Sequence, residues 1–148
     1  MIERTLALDY GTRRLGFAVS DPTGTIATSL ETVEVQTDAE ACHAVVRLVN
    51  ETGATSVVVG NPLHMNGSKS ELAMKVEAFM EHLRESVDVP LHLWDERLSS
   101  READRVLLEA DTSRAKRKKV RDRMAAQLIL QNYLDSRSDV LYRHPDDE

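Results

Sequence analysis

The chain has 148 residues, 41% of them hydrophobic, 30% charged and only 4% aromatic, with a net charge of −6. That size suits one domain with a single aliphatic core, and no stretch approaches the roughly 18 consecutive apolar residues of a membrane span. A lone cysteine, Cys42, excludes a disulfide framework and a paired-cysteine metal site, and with no signal-peptide pattern at the N-terminus a reducing cytoplasm is expected.

The first apolar run, about residues 4–9, reads as a strand that ends on Asp9. A turn, Gly11-Thr12-Arg13-Arg14, leads to a second strand at about 14–20, and Asp21-Pro22-Thr23-Gly24 to a third at about 25–35. These three should form an antiparallel meander. Residues 38–52 place Ala41, Val45, Leu48 and Val49 at helical spacing, with Asp38 as N-cap. The β-branched run Ser56-Val57-Val58-Val59-Gly60 predicts a strand buried on both faces. After the loop NPLHMNG, Ser68-Lys69-Ser70-Glu71 has the form of a capping box opening a helix to about Arg84. Residues 89–94 predict a fifth strand, followed by Asp95 and Glu96, and helices are expected at about 99–110 and 120–136. The order βββαβαβαα implies an α/β domain over residues 1–136, a mixed five-stranded sheet flanked by helices, with a polar tail at 137–148.

Three carboxylates stand out. Asp9 closes a central strand, and Glu96, with Asp95 beside it, follows the last strand at its carboxyl end, where α/β sheets place their sites. Asp122 heads the apolar face formed by Ala125, Ala126, Ile129 and Tyr133 of the final helix. Alone, each has an ordinary explanation as turn former, surface residue or ion-pair partner. Together they form a set that repels itself unless protonated or bound to a cation, and all-oxygen ligands favour Mg²⁺ or Mn²⁺. Two such ions, about 3.5–4 Å apart, suit an in-line displacement at a phosphodiester.

Charge distribution agrees. Residues 114–123, RAKRKKVRDR, carry seven basic residues in ten within an acidic chain. Lys116, Arg117, Lys118 and Lys119 thus sit just before Asp122, with Arg97 beside Glu96 and Arg13 and Arg14 in the first turn, as candidate phosphate contacts. No aromatic residue interleaves with the basic run, so base stacking is not expected from it. Trp94 and Met124 read as core, as does Cys42.

The stretches DYGTRRLGFAVSD, VVVGNPLHMNGS, WDERLSSREA and VRDRMAAQLILQNYLD resemble the YqgF/RuvX family of pre-16S rRNA nucleases or Holliday-junction resolvases. The resemblance runs from Ile2 to about Asp135 and implies a ribonuclease H-like fold. It implies a metal-dependent nuclease, with the family's acids falling on Asp9, Glu96 and Asp122 and Asp95 as second choice. Two small departures occur: Asn61 where an apolar residue is expected, and Ser100 where threonine is expected. The reading is an endonuclease that matures the 5′ end of pre-16S rRNA in ribosome biogenesis, as monomer or homodimer. The alternatives are a resolvase of branched DNA, which would need a symmetric dimer, and a non-catalytic nucleic-acid-binding module in transcription or ribosome assembly. An actin-like or sugar-kinase phosphate loop fits Asp9-Tyr10-Gly11-Thr12 alone, but those enzymes close two such domains around ATP.

Overall fold

The computed structural model describes residues 3–64, 66–96 and 125–137. Five strands form one sheet, β1 (Thr5–Asp9), β2 (Arg14–Ser20), β3 (Ala27–Glu34), β4 (Ser56–Asn61) and β5 (Leu91–Asp95), in the order β3-β2-β1-β4-β5. β1, β2 and β3 pair antiparallel, whereas β1–β4 and β4–β5 pair parallel. The expected meander and mixed sheet are therefore present. Two helices, α1 (Asp38–Thr52) and α2 (Glu71–Ser86), supply the crossovers, and a third helical segment covers 125–137. The helix expected at 99–110 and the start of the one at 120–136 lie outside the described residues.

The β1–β2 turn requires glycine at Gly11, because a Cβ there would stand 2.5 Å from the Arg14 carbonyl oxygen. α1 is capped by Thr37, not Asp38: the Thr37 hydroxyl accepts from the Glu40 N–H at 3.2 Å. Asp38 is instead engaged in the first turn, where its carboxylate accepts from the Tyr10 hydroxyl at 2.8 Å. α2, by contrast, begins later than the capping box suggests. An Asx turn takes the Ser68 N–H to Asn66 Oδ1, so the chain is still in a loop there. Ser70 is the cap, accepting from the Ala73 N–H at 2.9 Å and donating to the Pro62 carbonyl at 2.6 Å.

The sheet buries both faces, and the two are built differently. Leu6, Leu8, Leu15, Phe17, Val57 and Val59 face α1 and α2, meeting Val45, Leu48, Val76, Phe79 and Leu83. Ala7, Ala18, Ala27 and Val58 face the 125–137 helix, meeting Ala126, Ile129, Leu130 and Leu134. Period-2 alternation explains why Val57, Val58 and Val59 are all fully buried: they divide between the two faces. The small-residue face lets the last helix lie close to the sheet. Two glutamines one turn apart fix it there: Gln131 Oε1 accepts from the Ala27 N–H at 3.0 Å, Gln131 Nε2 donates to the Thr25 carbonyl at 2.9 Å, and Gln127 Nε2 donates to the Ala27 carbonyl at 3.1 Å. No described helix is long and apolar enough to cross a membrane.

Candidate active site

Asp9 is the last residue of β1 and pairs with Gly16 of β2. Alternation sends its side chain to the alanine-lined face with Ala7, Gly16, Ala18, Val58 and Gly60. The carboxylate lies close over β2: a Cβ on Gly16 would meet Asp9 Cβ at 3.6 Å, Asp9 Oδ2 at 4.0 Å and Ala126 Cβ at 3.8 Å. Asp9 is therefore overhung by the first described turn of the last helix. Behind it, Tyr10 is buried, stacks against Phe79 at 4.8 Å and bonds Asp38. Burial first, then the Asp38 hydrogen bond, pushes the Tyr10 phenol up to about 12. Tyr10 thus works as a peg that ties the end of β1 to the start of α1.

Glu96 follows β5 directly, and its side chain folds back over the sheet. A Cβ on Gly60 would stand 3.1 Å from Glu96 Cδ, 3.2 Å from Glu96 Cγ and 2.6 Å from Ile129 Cδ1. Gly60 lies on β4, between the strand that carries Asp9 and the strand that leads to Glu96. Its missing side chain is the space Glu96 occupies. The carboxyl of Glu96 is pushed up to about 7, first by burial and then by the negative charges of Asp9 and Asp95. Shifts of this kind, from burial plus specific like charges, cluster at functional sites.

Asp9 and Glu96, expected from the sequence, are thus brought together on one face. Asp95 differs: it pairs with Asn61, whose alternation places both on the opposite face, so it faces away from the Asp9 side. Asn61 is 9% exposed and its Oδ1 has no hydrogen-bond partner among the described residues. Among the described residues no three histidine, cysteine, aspartate or glutamate side chains group closely enough to hold a metal ion. Asp122, Arg97, Lys116, Arg117, Lys118, Lys119, Met124 and Ser100 lie outside the described residues. Arg13 and Arg14 are exposed on the hairpin after Asp9, beside a cavity of about 820 Å³ that Glu34 and Glu40 also line. Arg14 stands 4.0 Å from Glu34, an exposed pair worth little. Cys42 is buried in the core toward α1 and α2, and Trp94 packs against the separate cluster on the other face, so both serve the core as expected.

Two features escaped the sequence. Gly60 reads there as one more residue of a valine strand, although a glycine interrupting such a run signals close approach of another group. The second is an aromatic group on β5 and the last helix: His92 stacks on Tyr133 with ring centroids 6.1 Å apart, and Trp94 meets Tyr133 edge-on at 5.8 Å. Some forty positions of sequence separate its members, so no local pattern marks it.

The fold has known counterparts. T. thermophilus RuvC in complex with Holliday junction substrate aligns with a TM-score of 0.57 at 15% identity, covering 92% of this chain and 96% of that one. A second Thermus thermophilus RuvC structure gives a TM-score of 0.55 with the same coverage. At that identity the likeness speaks for the ribonuclease H-like fold alone. Sequence relatives are nearer. A protein of Thermoanaerobacter pseudethanolicus named "Putative pre-16S rRNA nuclease" is 47% identical over 134 residues, covering 90% of this chain and 96% of its own length. One of Geobacillus kaustophilus with the same name is 48% identical over 137 residues, covering 90% and 99%. A family model described as RuvX, Holliday junction resolvase, matches residues 3–136. With a ribonuclease H-like sheet, two acids brought together at its carboxyl edge and this match along nearly the whole sequence, the chain belongs to the RuvX family.

Proposed function

We propose that the chain is a divalent-cation-dependent endonuclease of the cytoplasm that hydrolyses phosphodiester bonds, with the 5′ end of pre-16S rRNA as its substrate. The observation that carries this reading is the approach of Glu96 to Asp9 across Gly60, which holds two carboxylates in mutual repulsion at the carboxyl ends of β1 and β5. The names of the relatives support RNA as the substrate.

The residues fit a hard cation. The donors are carboxylate oxygens, and the partial burial that pushes Glu96 up to about 7 would be offset by a positive charge between the two acids. Such ions, Mg²⁺ or Mn²⁺ and two in number, supply Lewis-acid polarisation of the phosphoryl group and acidify an attacking water when bound. Asp9, on the central strand, is the anchor of the cage, and Glu96 closes it from the β5 side. Asp122 precedes Ala126 by four residues and is the third carboxylate of the proposal, whereas Asp95, second choice from the sequence, is left out because it faces the other side of the sheet. Arg13, Arg14, Arg97, Lys116, Arg117, Lys118 and Lys119 hold the flanking phosphates and carry no sequence information.

The second reading, resolution of four-way DNA junctions by a homodimer, is favoured by the description of the family. A side-by-side cleavage assay in Mn²⁺ separates the two, with a precursor rRNA 5′ end against a four-way DNA junction. Cutting of the RNA by the wild type and not by Asp9→Asn supports the first reading. Cutting confined to the junction supports the second. Binding without cutting of either substrate leaves a non-catalytic module.

A further inference from the structure

His92, Trp94 and Glu96 occupy alternate positions along the end of the chain's last described strand, so they share the face that carries Asp9. At a rise of about 3.3 Å per residue, His92 lies ~13 Å along the strand from Glu96. Tyr133 of the last helix leans over this row. Its ring stacks on His92 at 6.1 Å and 28°, takes the edge of Trp94 at 5.8 Å and 77°, and has the Arg137 guanidinium 5.6 Å from its centroid. Trp94 and Tyr133 also pack against the core, and for Trp94 closing that core is role enough. His92 is different. It is exposed, it belongs to neither core cluster, and with Tyr133 it lines a cavity of about 520 Å³.

That cavity falls within the size range of about 300–1,000 Å³ typical of ligand sites. Its walls offer an imidazole face, the Pro90 ring, the backbone and hydroxyls of Thr55 and Ser56, and the Arg137–Glu3 pair at 3.4 Å. A flat ring matches such walls through one face laid against the imidazole, whereas the Thr55 and Ser56 hydroxyls are already bonded to the Arg4 backbone and the Thr5 hydroxyl. The guanidinium is already shared with Glu3, so phosphate attraction is a minor part of the site and stacking the major part.

We infer that the His92–Tyr133 ledge, with the cavity beside it, is a stacking subsite for an unpaired nucleobase of the nucleic acid whose backbone lies at Asp9 and Glu96. This rests on the proposed nuclease reading for the direction of the strand and goes beyond it by assigning a recognition element that favours single-stranded over fully paired substrate at a distance from the cut, because Glu3, Thr55, Ser56 and Pro90 of the cavity stand at the starts of β1, β4 and β5, the end of the sheet opposite Asp9 and Glu96. A duplex keeps its bases stacked on one another and has none to offer the ledge.

The test uses the full chain carrying Asp9→Asn, to prevent cleavage, and a short single-stranded RNA containing 2-aminopurine, whose fluorescence falls when it stacks. A fully paired RNA of the same sequence is the control. His92→Ala is expected to weaken single-strand binding about tenfold, to remove the quenching at one probe position, and to leave duplex binding and the salt dependence unchanged. His92 is exposed, so the fold should tolerate the change. His92→Phe restores a flat ring and should restore both quenching and affinity. Equal affinity of His92→Ala for the single strand, equal losses on single strand and duplex, or failure of His92→Phe to rescue would each overturn the subsite. In a chain with Asp9 intact, RNA cleavage with an unchanged KM in His92→Ala removes the ledge and leaves the nuclease. Stacking without cleavage of any substrate keeps the ledge and removes the nuclease.

Discussion

The two faces of the sheet use opposite strategies. Toward α1 and α2 the strands present leucine, valine and phenylalanine, and the contact is thick and featureless. Toward the 125–137 helix the contact is made mostly by alanine and a single valine, with Trp94 of β5 beside them, and the helix comes near enough for Ile129 to overlie Gly60. Large side chains hold the domain together, whereas small ones make a shallow space at the strand ends. Asp9 and Glu96 both reach into that space. One face supplies the stability that lets the other tolerate unfavourable charge.

The sharpest way to break this contrast is Asp9→Asn. Cleavage should fall more than ~100-fold, since even groups that merely support metal ligands account for 10–100-fold. Without metal, one of the charges that oppose ionisation of Glu96 is gone, so the decline of stability with pH that this carboxyl causes should be shallower in Asp9→Asn. A lower thermal midpoint would mean that Asp9 contributes to stability in its own right.

Phe79→Ala acts on the other face. Phe79 is fully buried, so the loss should be about 3–5 kcal/mol in denaturant unfolding. The activity of the fraction that remains folded should change little, as its ring lies behind Tyr10 and not beside the acids.

Acidity sharpens the comparison further. The folded-state value of Glu96, about 7, lies above the 4.5 of an ordinary glutamate. Between those limits the folded chain holds a proton that the unfolded chain has released. Stability without metal therefore declines as pH rises from about 4.5 to about 7, by ~3 kcal/mol at most. It is flat beyond either limit so far as this group is concerned. Metal binding must expel the same proton, so stabilisation by Mn²⁺ should grow through this range. Melting curves with and without Mn²⁺ at several pH values check both slopes, and a metal shift independent of pH would remove Glu96 from the cage.

Two glycines on the small-residue face give a paired test. Gly60→Ala forces a methyl to 2.6 Å from Ile129 Cδ1 and 3.1 Å from Glu96 Cδ, and should cost about 1–3 kcal/mol and reduce cleavage. Gly16→Ala meets nothing closer than 3.6 Å and should be tolerated in both respects. Equal effects in unfolding and cleavage assays would show that packing space, and not strand geometry alone, has been misjudged at Gly60. Tyr10→Phe, which keeps the stacking on Phe79 but loses the bond to Asp38, should cost about 1 kcal/mol in unfolding.

Periodicity made the strands readable, because alternation and β-branching are local properties. Asp9 and Glu96 were readable for the same reason, as acids standing where apolar runs end. The helix starts were less so: both caps moved by one or two residues because Asp38 and Ser68 were already committed, one to Tyr10 and the other to an Asx turn. Ranking Glu96 above Asp95 agrees with the alternation that turns Asp95 to the far face. The space over Gly60 and the stacking of His92 on Tyr133 arise only when distant strands and the last helix meet, and no window of sequence contains them.

The glutamine pair on the last helix has one more consequence. A glutamine side chain ends in a primary amide, chemically close to a peptide group. Gln127 and Gln131 occupy both the N–H and the carbonyl of Ala27, as a neighbouring strand would. The helix thereby lends the outer border of β3 a counterfeit rung, in a place where bare peptide groups would otherwise invite a foreign chain to add itself. Resistance to self-association and the seating of the helix over Asp9 thus depend on the same two side chains.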